Sequence, residues 1–509
     1  MSPKSLYIIY TIILTKQKLY GIIMVKKLFW RVIFVDIKFG TGGWRVSKED
    51  FNEENITKVI VGIAKYLKEE YFSAIEMPLV VVGFDCRAQS RGTASYILSV
   101  LRDDWGFDVE GFKSPITTPM LMDYVANTLD CVGIMVTASH NSFDVNGIKF
   151  ISEGGLDATK DITDKIEWYS NNCSECPPLK ISSTEWLTND YVTGIITQLK
   201  NISEIKKRNF NIVVDIMHGS SAEVFKKFAK ELNISYKLLN EKPLGFCDYE
   251  PRPCKENNKE LIDGVVRGGG LIDLGIAFDG DGDRLGIVDG FGNYIDGNDL
   301  VCLMANYLYK SGMKCTISKS CCTTNRLRKI AQRYGYDCID TPVGVKYLVN
   351  NMKSLDQSFA GEQNGGMIFA EHLYGKDAIY TLAKVLEMLA IENKSVSELI
   401  SDMYREFCWV SPTAKTILWH YNNEDVAKIK DTIFGFVPVI YGYVIRDISK
   451  MDGIKITYSD DSFISCRFSG TESVIRIIVD ADNEEKTNSI LSIYSNNLKE
   501  ILGDLVWEE

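Results

Sequence analysis

The chain has 509 residues, 45% of them hydrophobic and 25% charged, with a formal net charge of −11. This is globular composition, with length enough for three or four domains. The acidic balance weighs against nucleic acid as a partner, and an anionic substrate must be drawn in by a local basic cleft instead of the global field.

The first 36 residues stand apart. Leu6 to Leu14 is an apolar run after Lys4, too short to span a bilayer, and no small-residue cleavage site follows it. Residues 1–36 are therefore expected to lie outside the fold, with Met24 as an alternative start. The thirteen cysteines are odd in number and show no paired framework, so they read as reduced thiols of a cytoplasmic protein. Cys173-x-x-Cys176 and Cys321-Cys322 are the groupings from which a zinc site could be imagined, but no further ligand spacing accompanies them.

Phe39-Gly40-Thr41-Gly42-Gly43-Trp44-Arg45 is a glycine-rich loop ending in a guanidinium, a pattern that can wrap an anion. Ile56, Val59, Ile60, Ile63, Ala64 and Leu67 then mark one face of a helix. Leu79 to Gly83 reads as a buried strand and Ser90 to Leu101 as a helix, joined by the turn Asp85-Cys86-Arg87. The apolar run Val132 to Val136 stops abruptly at Thr137-Ala138-Ser139-His140-Asn141. That is how a buried strand delivers a side chain to the mouth of an α/β sheet, where free backbone N–H groups can face an anion. A serine hydroxyl is a poor nucleophile alone and needs a base, a metal or a positive neighbour. A serine hydrolase is disfavoured: the Gly-x-Ser-x-Gly elbow is absent, and the adjacent His140 should point away from Ser139. Asn146-Gly147-Ile148-Lys149 reads as a turn followed by a cation.

After a linker at Cys173 to Pro178, strands at Phe210 to Asp215 and Ser235 to Leu239 flank a helix beginning near Ser221. Strands at Leu274 to Phe278 and Leu285 to Val288 then enclose Asp279-Gly280-Asp281-Gly282-Asp283-Arg284. Carboxylates at i, i+2 and i+4 converge when the chain curves, and the glycines between them permit the curve. A divalent cation relieves their repulsion, and all-oxygen ligands indicate Mg²⁺ or Ca²⁺. An EF-hand does not fit, since strands flank the loop and no Glu stands at its twelfth position. A third unit has a strand at Cys315 to Ser318, a helix from Thr324 to Tyr334, and Thr341-Pro342-Val343-Gly344-Val345-Lys346. Phe359-Ala360-Gly361-Glu362-Gln363-Asn364-Gly365-Gly366 carries a carboxylate and two amides, groups that read sugar hydroxyls. Helices near Ala378 and at Ser395-x-x-Glu398, a capping box, follow. The last unit has strands at Ile454 to Tyr458, Phe463 to Arg467 and Val474 to Asp480, then a closing helix. The stretch from Arg467 to Arg476 holds two arginines, hydroxyls and a glycine-bent backbone, a phosphate cradle. No internal repeat is visible.

Four of these loops, in this order, resemble those of the α-D-phosphohexomutases, the phosphoglucomutase/phosphomannomutase family: Thr137-Ala138-Ser139-His140-Asn141, Asp279-Gly280-Asp281-Gly282-Asp283-Arg284, Gly361-Glu362-Gln363-Asn364-Gly365-Gly366 and Arg467-Phe468-Ser469-Gly470-Thr471-Glu472-Ser473. The turn at Gly83 to Ser90 also resembles a family motif near the active site. Departures are Ser142 and Ser473 in place of prolines, Asn364 in place of serine and Gly366 in place of histidine. The resemblance implies three similar α/β domains and a C-terminal α+β domain around a central cleft, with boundaries at 37–180, 181–297, 298–410 and 411–509. It implies reversible interconversion of hexose 1-phosphate and hexose 6-phosphate by a phosphorylated Ser139, through a hexose 1,6-bisphosphate. Mg²⁺ would be held by Asp279, Asp281, Asp283 and the phosphoserine. Arg45 and Lys149 would neutralise charge, and Lys149 or His140 would move the hydroxyl proton. Arg284, Gly344, Lys346, Glu362 and Asn364 would bind substrate, and Arg467, Ser469, Gly470, Thr471 and Arg476 its distal phosphate. Glucose 1,6-bisphosphate is the implied activator, hexose phosphates the partners, and monomer or homodimer the assembly, with no nucleic acid or membrane. A phosphoglucosamine mutase, a phosphatase and a non-catalytic sugar-phosphate-binding paralogue are the alternatives.

Overall fold

The computed structural model of the protein describes residues 36–40, 42–71, 78–172, 186–187, 191–245, 247–469 and 473–508. The apolar run at Leu6 to Leu14 and the segment with Cys173 and Cys176 lie outside them.

The first sheet contains β1 (Trp44–Ser47), β2 (Leu79–Phe84), β3 (Asp108–Phe112), β4 (Cys131–Val136), β5 (Val145–Ser152), β6 (Leu156–Asp157) and β7 (Trp186–Leu187). The helix with the apolar face is α1 (Glu53–Tyr66). Asn52 caps it by accepting the Asn55 N–H, and Glu53 and Glu54 complement the positive end of its dipole. Helix α2 (Ser90–Ser99) follows β2, and α3 (Thr118–Ala126) precedes β4. Helix α4 (Lys160–Asn172) continues the unit past Lys149 and packs on α1. Asn146 to Lys149 is not a turn. It lies inside β5, whose residues 148–151 pair antiparallel with β4, because the chain reverses earlier, over 137–144.

The second sheet is built from β8 (Asn211–Asp215), β9 (Ser235–Leu239), β10 (Leu274–Phe278), β11 (Leu285–Asp289) and β12 (Tyr294–Ile295), with α5 (Tyr191–Gln198) and α6 (Ala222–Glu231) beside it. The third comprises β13 (Ile317–Ser320), β14 (Cys338–Thr341), β15 (Phe359–Gly361), β16 (Met367–Phe369) and β17 (Leu373–Lys376), with helices α7 (Arg326–Arg333), α8 (Val345–Ser354), α9 (Ala378–Glu392) and α10 (Val396–Phe407). The α10 capping box of Ser395 and Glu398 is present. Strand β13 starts two residues later than the composition implies, since pairing with β14 begins only at Ile317. Helix α7 also starts late. Thr324 and Asn325 instead bond Asp480 and the Asp461 carbonyl of the C-terminal domain.

A repeat that residue identity does not show is present in topology. The sheets run β3-β2-β4-β5, β9-β8-β10-β11 and β14-β13-β15-β16. In each, three parallel strands are followed by an antiparallel fourth. In each, the third strand lies on the opposite side of the first from the second, so the sheet reverses direction beside it. Ligand sites collect at the carboxyl ends of strands at such a reversal. The loops leaving the third strands are those that carry Ser139, the Asp279–Asp283 triad and Glu362.

The second and third units share one apolar core, which includes Ile212, Phe228, Ile276, Leu300, Ile330, Phe359 and Leu386. Their two loops therefore rise from one continuous core. The C-terminal domain has a separate core and an antiparallel sheet. Its strands are β18 (Thr413–Tyr421), β19 (Ile445–Ser449), β20 (Ile454–Tyr458), β21 (Phe463–Phe468), β22 (Val474–Ala481) and β23 (Val506–Trp507). The closing helix α11 (Glu484–Leu502) buries Ile490, Tyr494, Leu498 and Leu502 along one face. Strands β18 and β19 escape sequence reading because most of their side chains are partly exposed, without a clean period of two.

Candidate active site

Ser139 follows β4, is 2% exposed and has a left-handed backbone, φ 54°. For a non-glycine residue this conformation costs roughly 1 kcal/mol or more and needs support from its surroundings. It aims the hydroxyl at two groups. Ser139 Oγ donates to Asp279 Oδ2 at 3.2 Å and lies 3.4 Å from His140 Nδ1. The expected divergence of Ser139 and His140 is thus wrong, since the αL turn brings neighbours together that extended backbone would separate. Burial, then Arg284, Arg45 and Lys376, holds the His140 pKa well below its ordinary value. The ring is neutral near pH 7 and one nitrogen is an acceptor.

Asp279, Asp281 and Asp283 are all buried, and ligand oxygens of the three lie within 4.8 Å of one another. Among the described residues this is the group of side chains suited to a metal ion. Two oxygens, Asp281 Oδ1 and Asp283 Oδ1, are buried without a hydrogen-bond partner. Burial and mutual repulsion push Asp279 up strongly, and burial with Asp283 pushes Asp281 up. Burial also acts against Asp283, but Lys376, Arg284 and Lys149 outweigh it and hold that carboxyl below its ordinary value. Orphaned carboxylate oxygens converging in a buried place fit a hard divalent cation. The loop is shaped by its own backbone: Asp279 Oδ1 accepts the N–H groups of Asp283 (2.9 Å) and Arg284 (3.1 Å). Gly280 is required there, because a Cβ would stand 2.5 Å from the Ser139 carbonyl oxygen.

Cations ring the triad. Arg45 donates to Asn141 Oδ1 at 2.7 Å, and its Nε is buried without a partner. Lys149 pairs with Asp157 at 2.8 Å. Burial opposes its charge, but Asp157, Asp283 and Asp281 raise its pKa, so it remains an ammonium. Arg284 Nε is 3.6 Å from Asp283 and 3.9 Å from Asp279. Glu362 begins a tight turn in which Gly366 N donates to Asn364 Oδ1 at 3.0 Å, and Asn364 Nδ2 lies 3.4 Å from Glu362 Oε2. Gly344, at φ 136°, caps α8, and Lys346 stands in its first turn. Burial, then Lys160, lowers the Lys346 pKa, while Asp164 and Asp157 oppose. In the C-terminal domain Arg467 and Arg476 face each other across β21 and β22. Arg467 Nε donates to Asp452 Oδ2 at 3.1 Å, and the same oxygen accepts the Val343 N–H at 3.0 Å, which ties the cradle to the third unit. Ser469 N donates to the Val474 carbonyl at 2.8 Å, while Gly470 and Thr471 lie outside the described residues.

Comparison with known families decides the assignment. Residues 36–175, 189–292 and 296–407 match, in order, the descriptions phosphoglucomutase/phosphomannomutase alpha/beta/alpha domain I, domain II and domain III. The chain belongs to the phosphoglucomutase/phosphomannomutase family. Among its relatives, a phosphoglucomutase/phosphomannomutase of Thermococcus kodakarensis is 30% identical over 91% of this chain and 99% of its own. A phosphoglucosamine mutase of Finegoldia magna is 26% identical over 88% and 95%. The structure of the Paramecium phosphoglucomutase pp63/parafusin superposes with a TM-score of 0.75 at 22% identity, covering 92% of this chain and 95% of that one, which shows the shared fold. Membership and the carboxylate triad together support phosphohexomutase activity.

Two residues of this phosphohexomutase site escaped the sequence. Lys376, at the end of β17, lies 3.2 Å from Asp283 Oδ2 and 3.6 Å from Glu362 Oε2, so one side chain joins the aspartate loop to the Glu362 loop. Its stem fills the place left by Gly366, where a Cβ would meet Lys376 Cδ at 2.3 Å. Thr118, at the start of α3, donates through Oγ1 to Asp281 Oδ2 at 2.6 Å, and its N–H bonds the Asp281 carbonyl. Both arrive from segments remote in sequence. The only local sign is Gly375-Lys376-Asp377 closing a strand before an N-cap. The pair Cys321 and Cys322 is buried against Phe463 and Ile478 in an apolar cluster, not in a metal-ligand group. No helix among the described residues is long and apolar enough to cross a membrane.

Proposed function

We propose that the protein interconverts hexose 1-phosphate and hexose 6-phosphate, acting on glucose phosphates and also on mannose phosphates. The observation that carries this reading is Ser139 Oγ standing 3.2 Å from Asp279 within the carboxylate triad. In the forward direction the phosphoserine ester bond breaks and a bond forms from phosphorus to O6 of the bound hexose 1-phosphate. Cleavage is at the phosphorus–oxygen bond, so Ser139 keeps Oγ, which takes up a proton as the O6 proton passes to a base of the site. The hexose 1,6-bisphosphate then reverses its pose. Its C1 phosphoryl group returns to Ser139 and hexose 6-phosphate is released.

Phosphoryl transfer demands positioning and charge neutralisation more than covalent assistance. Asp279, Asp281 and Asp283 would hold Mg²⁺, which supplies positive charge at the serine oxygen and makes it a better leaving group. Arg45, Lys149 and Arg284 supply fixed positive charge to the phosphoryl oxygens. His140, neutral and 3.4 Å from Ser139 Oγ, is better suited to accept the hydroxyl proton than Lys149, whose ion pair keeps it charged. Glu362 and Asn364 grip sugar hydroxyls, and Arg467, Ser469, Thr471 and Arg476 take the far phosphate.

Glucosamine phosphate is a second reading, favoured by relatives named phosphoglucosamine mutase. A coupled assay on glucose, mannose and glucosamine 1-phosphates, with Mg²⁺ and a trace of glucose 1,6-bisphosphate, tests both. Release of free phosphate in place of sugar 6-phosphate would reveal a phosphatase. Binding without turnover, and no phosphoserine by intact mass, would reveal a sugar-phosphate-binding protein.

A further inference from the structure

The turn between β2 and α2 looks like an ordinary strand-to-helix connection with Ser90 near a cap. Its hydrogen bonds say otherwise. The Ser90 hydroxyl does not cap the helix but donates to Asp85 Oδ1 at 2.7 Å. Arg87, 4% exposed, directs its guanidinium into the serine loop. Nη2 donates to the carbonyls of Ser139 (2.8 Å) and Asn141 (2.7 Å). Nη1 donates to those of Ser142 (2.5 Å) and Val145 (2.7 Å). Nε donates to Asp85 Oδ2 at 3.1 Å. That carboxylate oxygen also accepts the Thr137 hydroxyl at 2.8 Å, and Thr137 Oγ1 in turn accepts the Ser139 N–H at 2.8 Å.

Both backbone groups of Ser139 are thereby tied to one buried ion pair, the N–H through Thr137 to Asp85 and the C=O directly to Arg87. Four carbonyls converging on one buried point would repel one another without a donor for each, and an unmet buried acceptor is costly. A planar guanidinium supplies the donors in a fixed fork, whereas a lysine ammonium has too few and no fork. We propose that Asp85, Thr137 and Arg87 are positioning residues for the phosphoryl carrier. They hold Ser139 in its left-handed backbone so that Oγ points at Asp279, and they do not themselves touch substrate. This rests on the reading of Ser139 as that carrier.

The test compares Arg87→Ala and Thr137→Val with the wild-type full chain, measuring kcat, KM and phosphoserine content by intact mass. Arg87→Ala should lose about a hundredfold in kcat, since a misplacement of about 1 Å costs that much, with KM for the hexose phosphate within about threefold. Millimolar guanidinium should restore about tenfold by refilling the hole, and ammonium at the same concentration should not. Thr137→Val, nearly isosteric, should lose about tenfold in kcat with KM unchanged, the value of one hydrogen bond. It decides the matter if Arg87→Ala does not fold. Retention of more than about half of wild-type kcat in Thr137→Val, a change confined to KM, or equal rescue by ammonium would overturn the proposal. Wild-type protein with no turnover and no phosphoserine overturns the functional reading first, and this inference with it.

Discussion

The hydroxyl of Ser139 donates to Asp279 at 3.2 Å across 140 positions of sequence. Each residue leaves the third strand of its own sheet at the equivalent place in the repeated topology. Two copies of one architecture thus face each other loop to loop, one with the serine proposed as nucleophile and the other with the carboxylates that would hold a cation. The approach is close enough that only glycine fits at 280.

Ser139→Ala removes that hydroxyl and nothing else of size. Mutase turnover should fall by at least several powers of ten, with the thermal midpoint near that of wild type and the phosphoserine absent by intact mass. More than about one per cent residual turnover would contradict a covalent role.

Asp281→Asn tests the triad. Asp281 has one oxygen held by Thr118 and one orphaned, so a neutral amide weakens the pull on a cation while keeping the Thr118 contact available. The Mg²⁺ concentration giving half-maximal activity should rise at least tenfold, and kcat should fall. Wild-type protein as active after EDTA treatment as with Mg²⁺ would sink the metal assignment.

Asp480 gives a pH-dependent stability prediction where the C-terminal domain meets the third unit. Its Oδ1 accepts the Thr324 hydroxyl at 2.9 Å, and its Oδ2 is buried without a partner. Burial raises its pKa from 3.8 to about 6, against the pull of Arg326. A folded pKa above the unfolded one means that the protonated form is favoured by folding. That stability is full below about pH 4 and is lost as pH rises through 6. Asp480→Asn, which mimics the protonated form, should be more stable than wild type by roughly 1–3 kcal/mol at pH 7.5, and the gap should close toward pH 4. Urea titrations at both pH values check this. A variant less stable than wild type at pH 7.5 would mean that attraction to Arg326 dominates.

What the sequence made legible follows from how each part is encoded. The three aspartates lie in one contiguous loop whose glycines and flanking strands announce its curve, and Ser139 is announced by the abrupt end of an apolar strand, although its left-handed backbone is not. Lys376 and Thr118 reach the same place from remote segments, and apart from the strand end before the Asp377 cap nothing in their local sequence points there. The exchange at Gly366 shows the limit clearly. Read along the chain, the missing histidine leaves a gap, whereas in space the Lys376 stem occupies it. The threefold repeat was invisible for a related reason. Strand order and direction recur while residue identities do not, because a buried strand needs only apolar side chains of suitable size.

Sugar choice is the last prediction. Glucose and mannose phosphates differ only in the orientation of the C2 hydroxyl. Glu362 and Asn364 sit on one tight turn, in the loop that resembles the one by which the family grips the C3 and C4 hydroxyls, which are equatorial in both sugars. A side chain at position 366 would have been the one to reach further, but the space beside Gly366 is taken by Lys376. The Lys376 ammonium is drawn to Asp283 and Glu362, so it reinforces the loop instead of probing the ring. Discrimination at C2 then rests on weak contacts, worth about 1–3 kcal/mol or roughly 10–200-fold. Both glucose 1-phosphate and mannose 1-phosphate should be turned over, glucose the better. Gly366→His should not simply change this preference. Its ring must displace Lys376, so kcat should fall on both sugars together, by about tenfold or more if the ammonium stabilises the loops as its contacts indicate. Steady-state kcat/KM on the two sugars, for wild type and variant, decides the point. A wild-type ratio above about a thousandfold would show that other residues read C2, and a variant that changes the ratio without losing kcat would show that position 366 still governs sugar choice.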